Sequence, residues 1–126
     1  MALTICIING PNLNLLGRRE THIYGTRSFE DYLSELRQRY PDIQIDYYQS
    51  NHEGDIIDKL QQVGYEADGI VINAGGYSHT SIAIRDAIAA IASPTVEVHI
   101  SDINLREPFR RHSYLTDVCQ ASFSGL

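Results

Sequence analysis

The sequence predicts a parallel α/β fold, in which helices cover both faces of one sheet. Short apolar segments rich in β-branched residues alternate along the chain with segments whose apolar residues recur at helical spacing. The first, third and fourth apolar segments are continuous rather than alternating, which is typical of strands buried on both faces. The predicted strands are Leu3–Ile8, Ile43–Tyr48, Gly69–Asn73 and Thr95–Ile100, with a weaker fifth at Val118–Phe123.

Three helices are predicted between these strands. The first opens at Ser28, whose Ser-Phe-Glu-Asp stretch resembles a capping box, and Pro41 ends it. The other two are expected from about Asp55 to Gly64 and from Ser81 to about Ala92. Right-handed crossovers in a chain of this size favour a flavodoxin-like three-layer sandwich with the strand order 2-1-3-4-5.

Length and charge exclude several classes of protein. The 126 residues are expected to form a single domain, because domains usually span ~100–200 residues. Ten basic and sixteen acidic residues give a net charge of −6, which argues against nucleic acid and membranes as partners. No apolar stretch approaches the ~20 residues of a membrane span and no signal-peptide pattern is present, so a cytoplasmic location is expected.

Cysteine and lysine are both scarce. Cys6 and Cys119 are too few and too far apart for a disulfide framework or a metal site, so both are predicted to be core thiols. The only lysine, Lys59, is expected just off the apolar stripe of the second helix, where its amine reaches solvent. A Schiff-base mechanism would have to use this weak candidate.

Polar residues crowd the carboxyl ends of four predicted strands, where ligands bind in sheets of this kind. Turn chemistry explains such residues at one strand end, but four ends pointing into one crevice indicate a functional site. The segments are Asn9–Asn14, Gln49–Gly54, Asn73–Ser81 and His99–Asp102.

Two of these segments contain histidines, His79 and His99, for which the sequence suggests different roles. The glycines and helix start of Asn73–Ser81 suit an anion, to which His79 adds a donor. The plainer interpretation, which is compatible with the first, is a glycine loop in which Ser78 or Thr80 caps the helix. Glu97 precedes His99 by two residues on a strand, so their side chains share a face. The pair is either an acid–base unit or a buried structural histidine with a neighbour.

Two arginine-bearing segments lie outside the strand ends. In the loop after the first strand, Tyr24 is either a packing residue or a base. Because a phenol has a pKa of ~10, Tyr24 can act as a base at neutral pH only if a cation such as Arg19 stabilises its phenolate. After the fourth strand, Arg106, Arg110 and Arg111 form either a solvated face or a clamp for anions and hydroxyls.

Five motifs in one order resemble the type II 3-dehydroquinate dehydratase family over nearly the whole chain. They are Asn-Gly-Pro-Asn-Leu-Asn-Leu-Leu-Gly from Asn9, Arg-Glu-x-x-x-Tyr-Gly from Arg19, Gln-Ser-Asn-His-Glu-Gly from Gln49, Asn-x-Gly-x-Tyr-x-His-Thr-Ser from Asn73 and Glu-Val-His-Ile-Ser from Glu97. The segment from Arg106 to Tyr114 also resembles that family.

The resemblance implies reversible anti elimination of water from 3-dehydroquinate to 3-dehydroshikimate in the shikimate pathway, which leads to chorismate and the aromatic amino acids. The reaction would pass through an enolate, with no metal, cofactor or Schiff base. By the same resemblance Tyr24 would abstract the proton with help from Arg19, and Asn12 would hold a water on the enolate oxygen. His99, paired with Glu97, would protonate the leaving hydroxyl.

The resemblance also implies the substrate-binding residues. The substrate carboxylate would lie against Ser101, the Ile100 backbone N–H and His79, while Asn73 would help to place the leaving hydroxyl and Arg110 would hold the ring hydroxyls. Asp86 on the third helix would reach a neighbouring subunit's site. Trimers assembled into a dodecamer, a tetramer of trimers, are therefore implied.

The sequence departs from the family pattern in three places. Ala74 replaces a usual proline and Gly76 a usual alanine, which is expected to loosen the loop before His79. Asp102 replaces a usual asparagine and adds a negative charge beside a site for an anionic substrate. The sequence also ends at Leu126, where the family usually continues into another helix, so the fifth strand is expected to be partly uncovered.

Other function classes fit the fold less well. A flavin-binding module needs a hydroxyl-rich phosphate loop after the first strand, where this chain has Gly-Pro-Asn-Leu-Asn. A receiver-type signalling domain needs acidic residues where Asn9 and Asn73 stand. A catalytically inactive relative that acts as an interaction protein is the third alternative.

Overall fold

The computed structural model describes residues 2–18 and 28–125, which contain a five-stranded parallel sheet. Neighbouring strands follow the order β2-β1-β3-β4-β5, so the predicted flavodoxin-like α/β fold is confirmed. The strands are β1 (Leu3–Asn9), β2 (Ile43–Gln49), β3 (Gly69–Asn73), β4 (Thr95–Val98) and β5 (Ala121–Phe123). The helices are α1 (Phe29–Arg39), α2 (Glu53–Val63) and α3 (Ile82–Ala90).

The sheet separates two apolar cores, as continuous apolar strands require. On one face α2 and α3 pack against alternate strand residues, and Ile8, Ile72 and Leu60 are fully buried there. On the other face α1 places Leu33 against Ile7 and its neighbours. Because β1, β2 and β3 contribute to both cores, their ends are held in a fixed register at one edge.

The helix starts differ in detail from the prediction. Ser28 caps α1 as predicted, since its Oγ accepts from the Asp31 N–H at 3.2 Å. The second helix begins at Glu53, two residues before the predicted start, because the His52 carbonyl already accepts from the Ile56 N–H. The cap of α3 is Ser81, whose Oγ accepts from Ile84 N–H at 2.9 Å; the Ser78 or Thr80 alternative is therefore wrong.

The last two strands are shorter than predicted. The strand β4 ends at Val98, although the His99 N–H still donates to the Phe123 carbonyl at 2.8 Å. The strand β5 begins at Ala121, because the N–H groups of Val118 and Cys119 donate to local carbonyls in a 3-10 turn.

The cysteine and lysine side chains lie in the predicted environments. Cys6 is buried and Cys119 partly buried, and both are free thiols packed in or against the α2–α3 core. The Lys59 ammonium lies 5.4 Å from the Tyr48 ring centre and donates to Gln62 Oε1 at 3.4 Å. None of the helices described is long and apolar enough to cross a membrane.

Candidate active site

A cavity of about 360 Å³ opens at the carboxyl ends of β1, β3 and β4. Its walls combine the turn after β1, the glycine loop after β3, the end of β4 and the segment that follows β4. The residues with polar side chains that line it are Asn12, Asn73, His79, His99, Ser101, Arg106, Glu107 and Arg110, and Ile100 lines it as well.

The end of β2 stands behind this cavity instead of lining it. Gln49 Nε2 donates to the Gly10 carbonyl at 3.1 Å, and Asn51 Oδ1 accepts from the Asn12 N–H at 3.0 Å. Asn12 has a φ of 69°, a left-handed conformation that is uncommon outside glycine. The prediction that four strand ends form one crevice is therefore corrected to three, with the fourth bracing the turn that presents Asn12.

Glu97 and His99 form a buried pair at the end of β4. His99 Nε2 lies 2.7 Å from Glu97 Oε2, and the carboxylate is 0% exposed. A carboxylate oxygen only accepts, so Nε2 carries a proton and the other ring nitrogen, Nδ1, is the one not bound to Glu97. His99 also lines the cavity, so the pair can pass a proton between the protein and a ligand.

Three hydroxyl groups surround the same carboxylate, and sequence reasoning missed all of them. Ser113 donates to Oε2, while Thr116 and Ser122 donate to Oε1 at 2.7 and 2.9 Å. Burial raises the pKa of Glu97, but hydrogen bonds from His99, Ser113 and Thr116 outweigh it and lower the pKa to about 2. Glu97 is therefore a carboxylate at neutral pH.

His79 lies beside His99 with a different partner. The two ring centres are 6.3 Å apart and nearly parallel, and His79 Nδ1 lies 2.8 Å from the His112 backbone carbonyl. The carbonyl fixes the proton on Nδ1, since it too only accepts. The loop reaches this position through Gly75 at a φ of 60°, with its N–H bound to Asn73 Oδ1 at 3.1 Å.

The predicted anion site at the start of α3 is not formed by the helix itself. The loop residues Gly75, Gly76 and His79 line the cavity, whereas α3 begins three residues later and its Ile84 N–H is taken by Ser81. Any anion at this wall would meet the glycine loop and His79.

The segment after β4 supplies positive charge. Arg106 donates to Ser101 Oγ at 3.0 Å, and Arg110 Nε lies 2.7 Å from Glu107 Oε2 without the alignment of a hydrogen bond. Arg111 instead donates to the Arg106 carbonyl at 2.9 Å and does not line the cavity. Of the three arginines, only Arg106 and Arg110 are therefore placed where the predicted clamp could act.

The remaining site residues of the sequence prediction fall into two groups. Asp86 is exposed on α3 and does not line this subunit's cavity. Arg19 and Tyr24 lie outside the described residues. Of the departures from the family pattern, Asp102 caps a short turn, with its carboxylate accepting from the Asn104 N–H at 3.0 Å, and does not line the cavity.

Residues 3–126 match the family model described as "Dehydroquinase class II". The chain belongs to this family. Among curated relatives, a 3-dehydroquinate dehydratase of Exiguobacterium sp. is 52% identical over 98% of this chain and 86% of that protein. A catabolic 3-dehydroquinase of Podospora anserina is 45% identical over 100% of this chain and 87% of that protein. The crystal structure of a type II dehydroquinase from Butyrivibrio crossotus superposes with a TM-score of 0.94 at 46% identity, covering 98% of this chain and 88% of that one.

Proposed function

We propose that the chain is a 3-dehydroquinate dehydratase of the shikimate pathway, converting 3-dehydroquinate to 3-dehydroshikimate by anti elimination of water through an enolate. The observation that carries the proposal is the Glu97–His99 pair, which lies against a cavity with polar and cationic walls in a class II dehydroquinase chain. Family membership also argues against the flavin-binding and receiver hypotheses.

Elimination begins with removal of a proton next to the substrate ketone. Tyr24, as a phenolate stabilised by Arg19, takes the proton from C2, and the electron pair moves onto the carbonyl oxygen to form the enolate. These two roles rest on the family resemblance. Asn12 at the cavity wall holds a water against the enolate oxygen, which stabilises charge that appears only along the reaction.

His99 completes the elimination as the general acid. The enolate electrons return to form the ring double bond, the C1–O bond breaks, and the imidazolium gives its proton to the leaving hydroxyl to release water. Because Nε2 is held by Glu97, the transferred proton comes from Nδ1. The ionised carboxylate places a negative charge beside the ring when the ring carries its second proton.

The substrate carboxylate binds at the wall made by Ser101, the Ile100 backbone N–H and His79. With Nδ1 of His79 donating to a backbone carbonyl, the ring offers a second N–H only as an imidazolium, and that cation suits a carboxylate. Arg106 adds positive charge behind Ser101, Asn73 helps to place the leaving hydroxyl, and Arg110 binds the ring hydroxyls.

The enolate route needs neither a cofactor nor an amine. Lys59, the only lysine of the sequence, stacks on Tyr48 on the α2 side and does not line the cavity. A ketone already acidifies its neighbouring proton, so no imine is required. The position of Lys59 supports this route over a Schiff base.

The same proposal includes an oligomer. The exposed Asp86 contributes to a neighbouring subunit's site, within trimers that assemble into a dodecamer. A diluted monomer that retains full activity would contradict this part of the proposal.

The decisive experiment is an ultraviolet assay for the conjugated enone of the product. Wild-type protein should form the enone and resist inactivation by borohydride in the presence of substrate, whereas Tyr24→Phe should be inactive. Tyr40→Phe makes the same substitution at an exposed tyrosine that does not line the cavity, so it serves as the matched control and should keep wild-type activity. Absence of enone from the wild type would indicate an inactive relative, and borohydride inactivation would indicate an imine.

A further inference from the structure

The buried carboxylate of Glu97 has its acceptor capacity filled. An ionised carboxylate offers about four acceptor positions on its two oxygens. In the structure Oε2 accepts from His99 Nε2 and Ser113, and Oε1 accepts from Thr116 and Ser122. One donor of the four is therefore the imidazole, and the other three are neutral hydroxyls.

The three hydroxyls come from separate places in the C-terminal part of the chain. Ser122 stands opposite Glu97 in the β4–β5 register, and Thr116 begins the 3-10 turn before β5. Ser113 Oγ also accepts from the Leu115 N–H at 3.2 Å, which directs its own proton towards Glu97. The segment 113–122 thus holds the carboxylate with three hydroxyls, none of which belongs to a residue that lines the cavity.

A carboxylate surrounded by these four donors is most stable when it is ionised and held in one orientation. Burial of a charge is costly unless hydrogen bonds replace the water that is lost, and each hydroxyl supplies such a bond. With Oε1 held by two hydroxyls, Oε2 is the oxygen left to meet the imidazole. A rotation of the carboxyl group would break several bonds at once.

On the basis of the proposed function, we propose that Ser113, Thr116 and Ser122 are positioning residues for the acid step. They hold Glu97 ionised and in one orientation, so that His99 keeps its proton on Nε2 and presents Nδ1 to the departing hydroxyl. They touch neither the substrate nor the transferred proton, and they act through Glu97.

The other charged and titratable groups near the pair are few in the described part of the chain. His79 stacks on His99 from the β3 loop, and Arg106, Glu107 and Arg110 face the cavity from the segment after β4. Burial and the Glu97 charge raise the pKa of Cys119 to about 12, so its thiol stays neutral in the tested range. The hydroxyl variants leave all of these groups in place.

Thr116 offers a matched pair of variants. Thr116→Val keeps the shape and removes the hydroxyl, whereas Thr116→Ser keeps the hydroxyl and removes the methyl group. We expect Thr116→Val to lower kcat about tenfold with KM changed less than about twofold, because one hydrogen bond to a charged group is lost. Thr116→Ser should restore most of kcat. Ser122→Ala should resemble Thr116→Val, and Ser124→Ala, at an exposed neighbour, should match the wild type.

Two further readouts separate positioning from a merely structural role. The stability that is lost between pH 4.5 and 2 as Glu97 is protonated should be smaller in Thr116→Val and Ser122→Ala than in the wild type, since a carboxylate with fewer donors is protonated more easily. In ¹⁵N-labelled protein without substrate, the His99 ring should show Nε2–H in the wild type and a mixture of tautomers in a Thr116→Val, Ser122→Ala double variant.

Several outcomes would overturn the proposal. Wild-type kcat and an unchanged His99 spectrum in the valine and alanine variants would do so, as would a serine variant as impaired as the valine one. If the double variant does not fold, the single variants decide on the same criteria. Because the ¹⁵N spectrum needs no turnover, an inactive wild type would defeat the proposed function and still leave the positioning of His99 measurable.

Discussion

Two neighbouring regions, the end of β4 and the loop after β3, each present a histidine to the same cavity. Both rings are fixed through one nitrogen, His99 by a buried carboxylate and His79 by a backbone carbonyl. A carboxylate carries a full charge and a carbonyl only a dipole, which fits the two different roles that we propose for these rings. The charged partner suits a ring that gives up and regains a proton, and the neutral partner suits a ring that holds an anion.

The largest expected effect on activity comes from replacing His99, the ring held by the carboxylate. His99→Gln keeps a polar side chain of similar reach but cannot act as an acid, so we expect kcat to fall by about 10³-fold. Steady-state kinetics with the enone assay measure this change. A His99→Gln variant with kcat no lower than that of His79→Gln would remove the distinction between the two regions.

Glu97, the charged partner of His99, should also affect how the free energy of unfolding changes at acid pH. The pKa of Glu97 falls from its ordinary value of 4.5 to about 2 on folding. Its contribution is therefore complete above about pH 5 and is lost as the pH falls from 4.5 to 2, at ~1.4 kcal/mol per pH unit and on the order of 3 kcal/mol in total.

Urea unfolding at a series of pH values measures this contribution. Glu97→Gln has a side chain of similar size that does not titrate, so its free energy of unfolding should depend less steeply on pH between 4.5 and 2 than that of the wild type. Equal slopes for the two proteins would show that the carboxylate is not held ionised by its neighbours.

The second ring should affect substrate binding more than turnover. His79→Gln removes the hydrogen bond that we propose for the substrate carboxylate, so we expect KM to rise about tenfold and kcat to change less. The same enone assay, run over a range of substrate concentrations, separates the two constants. A loss confined to kcat would instead assign His79 to the chemical step.

Most of the fold followed from the sequence because it depends on local patterns. The continuous apolar strands and the cap at Ser28 act over a few residues, and the crossover rule then selects the strand order. The ends of β4 and β5 were misplaced because hydrogen bonds within the turns compete with the ladder. Such competition is not visible in apolar periodicity.

The site was predictable where its residues adjoin a strand. Glu97 and His99 were paired correctly because side chains two apart on a strand share a face. Their hydroxyl partners were not found, because Ser122 meets Glu97 only through the β4–β5 register and Ser113 only through a loop. Nor does residue type separate Asn51, which braces the turn after β1, from Asn12, which lines the cavity.

The smallest expected effect comes from a substitution next to the neutral partner of His79, the backbone carbonyl of His112. His79 is held by the backbone carbonyl of His112, while the exposed His112 side chain lies edge-on against Tyr114 at 4.9 Å. His112→Ala keeps that carbonyl, so KM should change less than about twofold, as for most surface substitutions. Glu97→Gln, which replaces the partner group itself, should lower kcat far more. A tenfold rise of KM in His112→Ala would mean that the imidazole of His112, and not its carbonyl, supports the anion wall, and both regions would then depend on a side-chain partner.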